Sequence, residues 1–181
     1  MDAVSLRLAG LVLVRPSVFT DDRGFLLEGY NARRYADHGI TCAFVQDNHS
    51  RSKRGTLRGL HYQEAPGQAK LVRVACGAIF DVAVDLRPDS PTFGQWEGVE
   101  LDDRSHQQLF IPLGFAHGFC VISETADVIY KVSSYYDPEA ERGLAYDDPD
   151  LAIDWPVTSP LVSERDRNAE SWAALCGRIA R

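Results

Sequence analysis

The chain has no hydrophobic run approaching the roughly 20 residues that a membrane-crossing helix needs. Its early apolar stretch, Leu11-Val12-Leu13-Val14, is preceded by Asp2 and followed by Arg15. It has neither a basic leader nor a small-residue cleavage site, so it reads as a buried strand rather than a secretion signal. Cysteine is sparse, and Cys42, Cys76, Cys120 and Cys176 form no CxxC pair, which argues against a zinc site or a redox motif. They read as reduced thiols, and a cytoplasmic protein is expected. Positive charge is in deficit: a formal net charge of −7 argues against a nucleic-acid-binding domain, which is normally basic as a whole. Linkers, repeats and low-complexity tracts are absent. With 45% hydrophobic and 25% charged residues, the composition is that of a soluble globular protein. At 181 residues one domain, 1–181, is expected, long enough to build a core without disulfide or metal staples.

Against this acidic background one segment is basic. From His49 to Arg73 stand Arg51, Lys53, Arg54, Arg58, Lys70 and Arg73 against a single acid, Glu64. A positive field inside a negative chain points to a small anionic ligand. Within it, TLRGLHYQ sets His61 in an extended stretch beside Arg58, and an imidazole next to an anion clamp suggests acid-base chemistry on a charged substrate.

The dominant period is two. Phe80, Val82, Val84 and Leu86 alternate with Ile79, Asp81, Ala83 and Asp85, which predicts an apolar sheet face backed by a face carrying carboxylates. Val128, Tyr130 and Val132 alternate with Ile129, Lys131 and Ser133 in the same way. Glycine and proline punctuate such runs at short intervals, which predicts an all-β sandwich or barrel with a cavity for one small ligand. Short helices are expected over Ala32 to His38 and over Ala169 to Ile179, the second capped by Ser171 or Asn168.

The blocks FTDDRGFLLEGYN, FVQDNHSRSKRGTLRGLHYQ, QAKLVRVACGAIFDVAVDLRPDSPTFGQW, IPLGFAHGFCV and YKVSSYYDPEAERGLAYDDPDLAIDWP resemble the dTDP-4-dehydrorhamnose 3,5-epimerase family nearly end to end. The resemblance implies an all-β, cupin-type jelly roll with a few short helices, a homodimer, and no metal or other cofactor. It implies a dTDP-sugar substrate, dTDP-4-dehydro-6-deoxy-glucose, inverted at C3 and C5. It further implies His61 as base, Asp166 as the carboxylate on its other nitrogen, Tyr130 as acid, and Lys70 as the cation near the developing enolate. Arg23, Glu28, Gln46, Asn48, Arg58, His117, Glu141 and Arg165 match binding positions. Tyr136 matches the aromatic that stacks on thymine, with Tyr135 its neighbouring alternative.

These assignments suit the chemistry. A C–H next to a ketone is acidic because its carbanion delocalises onto oxygen, and inversion needs a base on one ring face and an acid on the other. Arginine binds phosphate oxygens bidentately. Taken singly, each residue has a plainer reading. Lys70 and Arg58 fit solvated surface cations, and Tyr130 fits a core aromatic. His117 in FAHGF reads equally as a hydrogen-bonded core histidine, and His38, His49 and His106 read as structural or surface residues. Three rivals follow. A metal-dependent cupin lacks its expected His-x-His pair, since Tyr62 and Gln63 follow His61. A non-catalytic sugar-nucleotide binder has no need of His61, Lys70 and Tyr130 together. A C3-only epimerase or a ketoisomerase of a related dTDP-sugar needs the same groups.

Overall fold

The computed structural model describes residues 1–179, so the last two positions of the expected domain lie outside the described residues. The strands are β1 (Asp2–Ser5), β2 (Val12–Arg15), β3 (Val18–Asp21), β4 (Gly24–Leu27), β5 (Gln46–Lys53), β6 (Leu57–Gln63), β7 (Lys70–Cys76), β8 (Ala78–Asp85), β9 (Trp96–Asp102), β10 (Gln108–Ile111), β11 (Phe115–Val121), β12 (Thr125–Val132) and β13 (Glu141–Gly143). The helices are α1 (Ala32–Ala36), α2 (Glu164–Arg167) and α3 (Trp172–Ile179). One sheet runs β1-β2-β10-β7-β12-β5, a second β13-β6-β11-β8-β9, and β3 with β4 forms a separate hairpin. The chain crosses repeatedly between two antiparallel sheets, which is the jelly roll of the cupin type.

Period-two alternation builds the core between the sheets. Val72, Val74, Leu109, Ile111 and Val128 from the six-stranded sheet meet Ile79, Ala83, Phe115 and Phe119 from the five-stranded one. Each Val, Leu, Ile or Phe among them, when fully buried, contributes about 1.5–3 kcal/mol. The outer face of the five-stranded sheet is buried as well, because Leu60, Tyr62, Val82 and Val84 are covered by Leu144, Leu151 and Leu175 of the C-terminal segment. This corrects the simple two-face expectation for β8. Its Val82/Val84 face looks outward onto that segment, whereas Ile79, Asp81 and Ala83 face the interior, and both Asp81 and Asp85 are fully buried. A buried carboxylate persists only with partners: Asp85 has Arg87, Ser90 and Thr92, and Asp81 has His117.

The two expected helices form but are shorter than expected. The Asn31 side chain caps α1, which closes at Asp37. In α3 the Ser171 hydroxyl accepts from Ala174 N at 3.3 Å, so Ser171 caps this helix, while Asn168 instead ends α2. The β3–β4 hairpin stands away from both sheets with Phe19, Phe25 and Leu26 exposed at 68%, 59% and 73%.

Candidate active site

One irregularity in β6 shapes the site. In a regular strand Arg58 and His61, three residues apart, point to opposite faces. Here Arg58 pairs with Phe119 and His61 with His117, so three steps along β6 match two along β11, and the extra residue turns both side chains to the interior. Gly59 takes φ 121° at this bulge. Any Cβ there would lie 2.6 Å from Gly118 Cα and 2.7 Å from the His117 carbonyl oxygen, so only glycine fits. The Gly59 N–H donates at 3.3 Å to Asp166 Oδ2.

Asp166 reaches this point from 105 residues away in sequence. Leu161 anchors the approaching segment by pairing with Gly55 and Leu57 across the backbone. Ser163 then caps α2, its hydroxyl accepting from Asp166 N at 3.1 Å. The Asp166 carboxylate lies 2.7 Å from His61 Nε2. Burial pulls its pKa upward, but the hydrogen bonds of His61, Gly59 and Ser163 outweigh that effect, and it sits below the ordinary carboxylate value. In the neutral ring Nε2–H therefore donates to Asp166, and Nδ1 is left as the basic atom.

A cavity of about 260 Å³ opens between the sheets. The six-stranded sheet lines it with Gln46, Asn48, Lys70 and Tyr130, and the five-stranded sheet with Arg58, His61, His117 and Glu141. Tyr136 and Arg165 also line it. His61 and Tyr130 thus occupy opposite walls of one hollow. Burial raises the Tyr130 pKa, with Glu141 adding to the rise and Arg58 opposing it, so the phenol carries its proton at neutral pH. Lys70 is buried, its ammonium donating to the His61 carbonyl oxygen at 3.2 Å. Burial lowers its pKa to about 8, against the opposing pull of Glu141 and Asp81.

His117 is both things that its sequence context allowed. It is buried and hydrogen-bonded, Nε2 lying 2.9–3.0 Å from the two Asp81 oxygens, and it also lines the cavity. Burial lowers its pKa despite Asp81, so the ring is neutral at pH 7. At the mouth, Gln46 Oε1 accepts from Tyr136 N at 3.0 Å and Gln46 Nε2 donates to Asn48 at 2.9 Å. Tyr136 is half exposed there. The Arg165 guanidinium lies 2.7 Å from Glu141 Oε2, but that oxygen accepts no well-aligned hydrogen bond. The contact is an ion pair.

The basic segment disperses on folding. Of its six cations only Arg58 and Lys70 line the cavity, whereas Arg51 pairs with Asp127 and Arg73 lines a separate cleft with Asp47 and Lys131. Arg165, from the far end of the chain, supplies the third cation. Two positions are not brought to the cavity of their own chain. Arg23, 89% exposed, pairs with Asp21 on the hairpin, and Glu28 pairs with Arg34. Sequence reading did not single out Asp81 as a partner of the site, nor the lining residues Ser50, Gln68 and Phe119. For Asp81 the signal was present, a carboxylate midway along an otherwise apolar strand. Among the described residues no group of three or more His, Cys, Asp and Glu converges as a metal ligand set.

The profile of the family described as dTDP-4-dehydrorhamnose 3,5-epimerase matches residues 5–174. The chain is 52% identical to dTDP-4-dehydrorhamnose 3,5-epimerase of Pseudomonas aeruginosa, covering 96% of this chain and 97% of the relative. It is 45% identical to a dTDP-4-dehydrorhamnose 3-epimerase of Streptomyces niveus, covering 91% of this chain and 80% of that one. Among solved structures, dTDP-6-deoxy-D-glucose-3,5-epimerase of Legionella pneumophila, in complex with dTDP-4-keto-L-rhamnose, superposes with a TM-score of 0.92. The two share 48% identity, covering 96% of each chain. The chain belongs to the dTDP-4-dehydrorhamnose 3,5-epimerase family.

Proposed function

We propose that this protein inverts C3 and C5 of dTDP-4-dehydro-6-deoxy-glucose to give dTDP-4-dehydro-L-rhamnose, in the route to dTDP-L-rhamnose. The observation that carries this reading is the opposition of His61, backed by Asp166, and Tyr130 across one hollow. His61 Nδ1 takes the proton from the carbon next to the C4 ketone, and the electron pair moves onto the C4 oxygen as an enolate. The imidazolium is stabilised by ionised Asp166. Lys70 supplies positive charge to the enolate oxygen, in a buried setting where a fixed charge acts most strongly. Tyr130 then returns a proton to the opposite ring face; the His61 imidazolium gives its proton to water and the phenolate takes one from water, which resets both groups for the second carbon. The ketone itself is the electron sink, so this scheme requires no cofactor.

Arg58 and Arg165 are the diphosphate clamp, and half-exposed Tyr136 offers its face to the thymine ring. Gln46, Asn48, His117 and Glu141 orient the sugar and nucleotide. The exposed apolar hairpin supports a homodimer, since Phe19, Phe25 and Leu26 gain by burial against a second copy. Arg23 and Glu28 serve a site only if such pairing carries them to the partner's cavity. The acidic chain, with no helix among the described residues long and apolar enough to cross a membrane, fits a one-domain cytoplasmic enzyme that binds neither nucleic acid nor lipid.

Incubation with the substrate in heavy water is the test. Deuterium entering at both C3 and C5 is the expected result, and a sugar recovered without deuterium overturns the reading. The 45% identity to a 3-epimerase favours one second reading, inversion at C3 alone, for which deuterium enters at one carbon only.

A further inference from the structure

One carboxyl group near the cavity has no part in the scheme above. Asp81 on β8 is fully buried, and both of its oxygens face His117 Nε2 at 2.9–3.0 Å. We propose that Asp81 is a positioning residue: it holds His117 with Nδ1 turned to accept a hydrogen bond from a sugar hydroxyl, and it supplies counter-charge for the buried ammonium of Lys70. The inference rests on the reading under Proposed function and deepens it.

A neutral imidazole has one N–H and one lone pair, and the partner of one nitrogen fixes the role of the other. Since a carboxylate can only accept, the His117 proton sits on Nε2. Nδ1 is then a bare acceptor, and no described residue hydrogen-bonds to it. An acceptor does not suit a phosphate oxygen, which also accepts; it suits a hydroxyl. His117 therefore reads the hexose rather than the diphosphate, leaving the anionic end of the ligand to the arginines. The second role follows from charge balance. Lys70 faces Asp81 from β8, Glu141 from β13, His61 and Arg58 from β6, His117 from β11 and Tyr130 from β12. Glu141 is already engaged by Arg165. Asp81 and Glu141 are the two acids that favour protonated Lys70, and no Lys or Arg among the described residues pairs with Asp81.

Two measurements test this. In the wild-type protein, nitrogen-15 NMR of labelled histidine reads the ring state of His117 without reference to turnover. The expected result is a neutral Nε2–H ring at pH 7 and above, in keeping with the downward push of burial on its pKa. An imidazolium, or a ring protonated on Nδ1, overturns the proposal even if the protein is a proven epimerase. Failure of deuterium incorporation by the wild type would instead strike the functional reading and leave this result standing. The second measurement is the pH profile of kcat for Asp81→Asn, with His117→Asn as comparison. Loss of the Asp81 charge makes Lys70 give up its proton more readily, so the alkaline limb should move down by about one pH unit. In His117→Asn the limb should stay while KM for the sugar nucleotide rises about tenfold, with dTDP affinity unchanged. A limb that superposes on wild type in Asp81→Asn, with activity lowered by the same factor at every pH, would mean that Asp81 is merely structural.

Discussion

Replacing Asp166 with Asn changes one atom and removes one charge. In the protein the Asp166 carboxylate sits 2.7 Å from His61 Nε2 and is almost fully buried, so its effect on the ring is little screened by water. When His61 takes the substrate proton, this contact becomes a hydrogen bond between two ions. Such a bond is worth about 1.5–3 kcal/mol, and with a factor of ten for each 1.4 kcal/mol or so, kcat should fall about 10- to 150-fold. An Asn amide that donates to Nε2 would also move the ring proton to Nδ1 and deepen the loss. The substitution has a signature in stability too. The folded pKa of Asp166 lies below its ordinary value of 3.8, so its contribution is present above that value and lost as pH falls through the folded one. The variant should therefore melt below wild type at neutral pH, with the gap closing under acid conditions. The assay pairs initial rates of deuterium incorporation with dTDP binding by calorimetry. Retention of half or more of wild-type kcat, or a matching loss of dTDP affinity, would refute the role given to the dyad.

Other substitutions probe the remaining parts. Tyr130→Phe should cut product formation at least about 100-fold while leaving Tm within a degree or two, because the phenol makes no hydrogen bond to a described residue; product analysis by NMR decides it. Lys70→Arg should lower activity but abolish the alkaline limb near pH 8 that the Lys70 pKa predicts for wild type, since guanidinium keeps its proton; a limb unchanged in the variant assigns it to another group. Gly59→Ala places a Cβ against the Gly118 backbone at φ 121° and should cost about 2–4 kcal/mol, read as a fall in the denaturant midpoint; a midpoint within error of wild type would mean that the close approach is not rigid.

Much of the architecture was legible in the sequence because period-two patterning is a local signal. β12 presents Val128, Tyr130 and Val132 inward as the alternation predicts, and β6 contains the expected extended motif. The site was less legible because its contacts are long-range. The pairing of Asp166 with His61 spans 105 positions, and α2, at four residues, is too short to leave a periodic trace. Asp81 was assigned to a carboxylate face, which a strand with one exposed side would have; here the C-terminal segment covers the other side, so the carboxylates turned inward. The run of cations between Arg51 and Arg73 looked like one patch in linear order, but strand alternation sends neighbours to opposite faces. Helix lengths were overstated at ends where capping, rather than hydrophobic pattern, decides the boundary.

The extra residue in β6 works as a phase shift. Were the same three-residue spacing laid out in a regular strand, the chain would aim a cation and a general base in contrary directions, and no adjustment of rotamers would reunite them. The spacing from Arg58 to His61 has to stay odd, and the glycine between them has to stay a glycine. An extra codon here, with the bulge kept, would leave a sound-looking sandwich whose imidazole faces the wrong layer, a folded protein silenced by one step of register.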